Sequence, residues 1–275
     1  MEMKQLLVPV DFSDCSEYAL EVAAQLARKL NGTITIFHMM GVSESVLAKS
    51  ELYEQEEAKY YMNLAKEKIN EYTNKSYLMG IPVKTVIQNY KVFEEVNKVA
   101  QEQQIDLIVM GSHGSRGFSR LFVGSNTEKV VRSAEVPVLV IKKPHHDFKV
   151  ENVVFACDLE AENRAAFQKA LDFSNLFNAE LQLVYINTEG SNFLNSRQIA
   201  EKVADFTSII GNSHKVNIYH DFSVEQGIFN FAESISANMV VIPTHGRKGI
   251  AHFFKGSIGE KMANTVKLPL MTIKI

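Results

Sequence analysis

Two cysteines, Cys15 and Cys157, are all that the 275 residues contain, one in each half. So few thiols cannot build a disulfide framework, and reduced thiols of a cytosolic protein are the expectation. No apolar run approaches the roughly 18 residues that would suggest a membrane span. The start, Met1-Glu2-Met3-Lys4, leads into a short apolar run that contains Pro9, so no signal-peptide core is visible. Charge of neither sign dominates: 29 Lys and Arg stand against 32 Asp and Glu, which argues against a general binder of nucleic acid or membrane surface. Two phosphate-binding signatures are missing too, the Gly-x-x-x-x-Gly-Lys-Ser/Thr loop and Gly-x-Gly-x-x-Gly after the first strand. His145-His146 has no spaced partner that would suggest zinc. What remains is a soluble intracellular chain of one or two domains.

What is present is an internal repeat. Gly111-Ser112-His113-Gly114, followed by Gly124-Ser125-Asn126-Thr127, has an echo in Thr244-His245-Gly246 and Gly256-Ser257. Laid 132 positions apart, residues 109–142 and 241–274 match without a gap at Val109, His113, Gly114, Gly117, Phe122, Gly124, Ser125, Glu128, Lys129, Pro137, Ile141 and Lys142. Earlier in each half the offset is 147, where Pro9-Val10-Asp11 faces Ala156-Cys157-Asp158 and Asn31-Gly32 faces Asn178-Ala179. The difference falls in the middle of each half, so the second copy has the shorter central helix or loop. A period this long means duplicated domains rather than a solenoid of small units.

Apolar runs and helical periodicity alternate in both copies. Strands are expected over 6–10, 33–39, 83–87, 105–110 and 136–142, with helices between them and one over about 126–134. In the second copy the strands fall near 152–156, 180–186, 216–219, 239–242 and 268–273. The fold class that follows is α/β, two repeated doubly wound domains over 1–143 and 149–275. Each has a five-stranded parallel sheet with helices on both faces, since right-handed crossovers leave few other topologies.

Ligands of such sheets bind beyond the C-terminal strand ends where the winding reverses. In the order 3-2-1-4-5 that crevice lies between strands one and four, so Asp11 and Gly111 converge on it. Gly111, Gly114 and Gly124 suit close approach of backbone to phosphate, and Gly124-Ser125 opens a helix whose exposed N–H groups favour an anion. Ser125 with Glu128, and Ser257 with Glu260, also fit a capping box. Arg116, Arg120, Lys129 and Arg132 against Glu128 read either as a solvated face or as a basic rim around that anion. His113 and His245 occupy equivalent loop positions, as loop-ordering groups or as phosphate donors.

At these residues the chain resembles the universal stress protein family, over nearly all of both halves, as a tandem member. The family's nucleotide signature is Gly, two residues, Gly, nine residues, Gly-Ser/Thr; Gly111, Gly114 and Gly124-Ser125 match it, and Pro9-Val10-Asp11-Phe12-Ser13 is similar to its first strand. The resemblance implies a 3-2-1-4-5 sheet and an ATP-binding regulatory protein of the stress response, with or without magnesium. Pro9 would belong to the nucleotide site, Asp11 would hold ribose or metal, and the backbone near Met39 and Met40 would meet adenine. Gly111, Gly114, Gly124, Ser125, Asn126 and Thr127 would hold ribose and phosphates. It also implies pairing of the two halves through their fifth strands as an internal pseudo-dimer, and it admits a homodimer. The second copy departs from the pattern, with Pro243 for the first glycine and Ile258-Gly259 for Asn126-Thr127. Asp158, Gly246, Gly256 and Ser257 remain, the makings of a weakened second site. The alternatives are a slow ATPase or phosphotransferase using His113, and a nucleotide-free scaffold.

Overall fold

The computed structural model describes residues 3–40, 52–88, 94–112, 125–190, 193–211, 214–244 and 268–275. The chain divides into two compact units, Glu2–Phe148 and Lys149–Ile275. In the first unit the elements are β1 (Gln5–Val10), α1 (Asp14–Leu30), β2 (Thr33–Met39), α2 (Leu52–Thr73), a 3-10 turn (Ser76–Leu78), β3 (Val83–Gln88), α3 (Glu94–Glu102), β4 (Leu107–Gly111), α4 (Ser125–Ser133) and β5 (Val138–Ile141). Its strands lie in the order β3-β2-β1-β4-β5 and are all parallel.

The second unit repeats the plan with β6 (Asn152–Ala156), a 3-10 turn (Ala161–Asn163), α5 (Arg164–Leu176), β7 (Glu180–Thr188), α6 (Ser196–Ile210), β8 (Val216–Asp221), α7 (Val224–Ser234), β9 (Met239–Thr244) and β10 (Leu270–Lys274). Its order, β8-β7-β6-β9-β10, again parallel, is the first unit's order in the same sense of winding. The helix expected after β9 lies outside the described residues. As the unequal offsets require, the central helix shrinks from 22 residues in α2 to 15 in α6.

Burial explains why short apolar runs become strands. Leu6, Leu7 and Val8 of β1 are consecutive and inaccessible, as a parallel strand covered on both faces must be. In β6 the neighbours Val154 and Phe155 point to opposite faces. Val154 joins Val184 and Val240 against Ile228 and Phe231 of α7, while Phe155 packs on Phe167 of α5, which in turn meets Phe206 of α6. Helix α1 starts at Ser13, whose hydroxyl accepts the Ser16 N–H, and carries Asp14 and Glu17 in its first turn and Arg28 and Lys29 in its last, each end matching the helix dipole. Its buried face is rich in alanine, Ala19, Ala23, Ala24 and Ala27, so the helix lies close on the sheet. Among the described residues no helix is long and apolar enough to cross a membrane.

The backbone repeats in finer detail than the side chains do. Among the described residues six non-glycine residues have positive φ: Phe12, Asn31, Gln104, Leu159, Asn178 and Ser236. They form three pairs at the two offsets, Phe12 with Leu159, Asn31 with Asn178, and Gln104 with Ser236. Each pair sits at the same turn of its unit: past the first strand, past the first helix and past the third helix. Left-handed geometry is costly for residues with a Cβ, least so for asparagine. Gln104 is exposed and gains nothing from its side chain there. Gln104→Gly is expected to stabilise the protein by about 0.5 kcal/mol, after the entropy that glycine adds to the unfolded chain; urea denaturation checks this, and a loss of stability would contradict it.

Candidate functional site

In the first unit β1 and β4 are neighbours at the point where the winding reverses, and their register pairs Leu6 with Leu107 and Leu7 with Ile108. Carried upward, that register sets Asp11 beside Ser112, at the mouth of the crevice. Phe12, at φ 63°, turns the chain so that Ser13 comes back to Asp11. The Ser13 hydroxyl donates to Asp11 Oδ1 at 2.6 Å and the Ser13 N–H at 3.2 Å. One serine therefore both orients the carboxylate and caps α1.

Gly111 has a packing reason to be glycine. A Cβ built there would stand 2.6 Å from the Cys15 carbonyl carbon and oxygen and 2.9 Å from Cys15 Cβ, so the first turn of α1 lies directly against the bare Cα. Thr127 is buried, and its hydroxyl donates to the Gly111 carbonyl at 2.8 Å. It acts as a strut between the start of α4 and the end of β4, with its proton committed. Ser125 and Asn126 open α4. Pro9 lies within β1, opposite Phe37. Met39 ends β2, and the Met40 N–H donates to the Gln88 carbonyl at 2.9 Å. Of the expected ligand groups, Gly114 and Gly124 lie outside the described residues, as do His113, His245, Gly246, Gly256 and Ser257.

Three residues that sequence patterns did not place at the site, His38, Lys68 and Tyr72, gather round Phe12, the neighbour of Asp11 in the chain. The Phe12 ring packs against His38 at 4.4 Å and edge-on to Tyr72 at 5.4 Å, and the Lys68 ammonium stands 5.4 Å from its centroid. His38 Nδ1 lies 2.8 Å from the Val10 carbonyl; a carbonyl only accepts, so Nδ1 carries the proton. Burial raises the Tyr72 hydroxyl above its usual range, with the charge of Glu17 adding to the shift. The available signal was the position of Phe12 directly after Asp11.

The second unit builds this place differently. Pro243 stands at the position of Gly111, and where α1 begins at Asp14 the counterpart chain makes the 3-10 turn Ala161–Asn163 before α5 starts. A pyrrolidine ring in place of a bare Cα removes the room that the first helical turn occupies in the first unit. Asp158 Oδ1 accepts the Glu160 N–H at 3.2 Å and the Asn163 side-chain amide at 2.5 Å. Lys202 of α6 pairs with Glu160. Burial alone would lower Lys202, yet that bond and the charges of Glu160, Asp158 and Tyr185 hold it above its ordinary range. Burial pushes the Cys157 thiol up to about 12, so it stays protonated and unreactive.

Two repeated units of parallel strands, each with a carboxylate at its switch point, define a duplicated α/β protein of the kind that takes ligands at its strand ends. The chain belongs to the universal stress protein family, whose model matches residues 2–142 and 196–274. Among its relatives, a universal stress protein of Methanocaldococcus jannaschii is 29% identical over 154 residues, covering 51% of this chain and 95% of that protein. One of Synechocystis is 25% identical over 305 residues, covering 99% of this chain and 100% of the other. The crystal structure of a universal stress protein from Archaeoglobus fulgidus superposes with a TM-score of 0.71 over 98% of this chain and 96% of its own, at 20% identity, a likeness of fold. The family match resumes only at residue 196 in the second half, leaving out the stretch with Asp158, Asn163 and the 3-10 turn.

Gly111→Ala is expected to cost about 1–3 kcal/mol, because either α1 or β4 must shift to admit a methyl group. Denaturant unfolding measures it, and a change below about 0.5 kcal/mol would contradict the close approach described.

Proposed function

We propose that this chain is an ATP-binding regulatory protein of the cytoplasmic stress response, with the nucleotide held mainly by the first unit. The observation that carries the reading is Asp11, oriented by Ser13 and set beside Gly111 and Ser112 at the β1/β4 switch point. A carboxylate fixed in this way accepts the hydroxyls of a ribose, and the chain running from Ser112 to the start of α4 carries the phosphates, Gly114, Gly124, Ser125 and Asn126 among their ligands. Magnesium, where present, enters with the phosphates of the nucleotide. Holding a nucleotide needs no general base, and binding rather than turnover is the activity proposed.

Asymmetry between the units is part of the same reading. Asp158 already accepts the Asn163 amide, and Pro243 offers no N–H where Gly111 does. The second unit therefore binds nucleotide weakly or serves as a partner.

Calorimetric titration of the whole chain with ATP and magnesium tests this. It should give about one tight site per chain, with melting temperature rising with the logarithm of ATP concentration. Asp11→Ala should weaken that site by about tenfold or more, the worth of hydrogen bonds to a charged group, while Asp158→Ala leaves it unchanged. Two equal sites, or equal losses from both substitutions, would overturn the asymmetry; identical melting with and without excess ATP would overturn the reading.

A further inference from the structure

Lys142 follows the last residue of β5, and the register that pairs Gly111 with Ile141 places it beside Ser112. The Ser112 N–H donates to the Ile141 carbonyl at 2.9 Å, which ties the two strand ends together at this level. With neighbouring strands about 4.8 Å apart, the Cα of Lys142 stands roughly 10 Å from that of Asp11 across the sheet.

We propose that Lys142 is the cationic end of the nucleotide site, a lysine whose counter-charge is supplied by the ligand's terminal phosphate. This rests on the ATP reading above and adds a residue to it.

The side chain is mostly buried, and it makes no ion pair among the described residues. Two other half-buried lysines are paired, Lys75 with Glu17 at 2.5 Å and Lys202 with Glu160. A buried ammonium without a partner is destabilised, and burial draws Lys142 down to about 8 with no other group contributing. Its facing neighbours on β4, Met110, Gly111 and Ser112, do not titrate, and the next residue in the chain is Lys143. Asp14 and Glu17 of α1, and Glu128, Lys129 and Arg132 of α4, exert no resolved pull on it. A phosphate placed against it restores the charge, so anion binding takes up a proton. The repeat places Lys274 at the corresponding position, where the first glycine of the loop has become Pro243; the lysine and the glycine signature occur together only in the first unit.

The test compares ATP, ADP and adenosine on the full chain and on Lys142→Met. ATP affinity should fall about ten- to a hundredfold, ADP affinity by less, and adenosine affinity not at all. At pH 8 the unmodified chain should take up roughly half a proton on binding ATP, seen as a dependence of the calorimetric heat on the buffer's ionisation enthalpy. The uptake should vanish below about pH 7, where the free protein already carries the proton, and should be missing from the methionine variant. Lys142→Met should melt no lower than the unmodified chain, since it removes a buried charge, and Lys142→Arg should keep part of the preference for ATP. Equal ATP affinity in both proteins, with equal proton uptake, would overturn the assignment while leaving the nucleotide reading standing. Failure of the unmodified chain to bind ATP and adenosine alike would defeat that reading, and the role of Lys142 with it.

Discussion

The missing Cβ of Gly111 is the constraint on which the first unit's site depends. It lets the first turn of α1 press against the end of β4, with the Cys15 backbone in the space that any larger residue would need. From that contact the rest is positioned. Ser13 caps the helix and orients Asp11, and Thr127 reaches across from α4 to the Gly111 carbonyl. A glycine that sequence patterns assign to phosphate approach thus has a packing duty as well. The two roles are compatible, because drawing α1 inward is what brings the carboxylate level with the end of β4.

The second unit shows what the same plan becomes without that glycine. With Pro243 in its place, the first helical turn is replaced by a 3-10 turn, and Asn163 falls where it can donate to Asp158. Glu160 and Lys202 complete an arrangement in which polar groups near Asp158 are paired with one another. The first unit instead keeps a lysine, Lys142, with no counter-charge among the described residues. Polar groups committed to one another favour stability, and groups waiting for a partner favour binding. The asymmetry proposed for the two halves follows that line.

Much of the fold was legible because buried parallel strands read as short apolar runs, and β2 and β6 fall on the expected residues, 33–39 and 152–156. Other strand ends moved by one or two positions: β8 continues to Asp221 and β9 to Thr244, past the apolar residues, because the hydrogen-bonded ladder does not stop where hydrophobicity does. The shorter central helix of the second half followed from the unequal repeat offsets alone. Phe12 and Leu159 could not be foreseen in left-handed geometry, since neither is glycine or asparagine; only tertiary packing selects it. Thr127 as a strut and Lys142 as a buried cation were hidden for a related reason. Their roles come from neighbours distant in sequence, although the recurrence of a lysine at both strand ends was there to be seen.

The central claim is that one of two similar crevices, the one at Asp11, is shaped for a nucleotide. A crystal structure of the chain grown with ATP and magnesium tests it most directly. It should show nucleotide in the first unit, with ribose against Asp11 and phosphates along the segment from Ser112 to Thr127, and none against Asp158. Nucleotide bound at Asp158 alone, or in the first unit but turned away from Asp11, would contradict it.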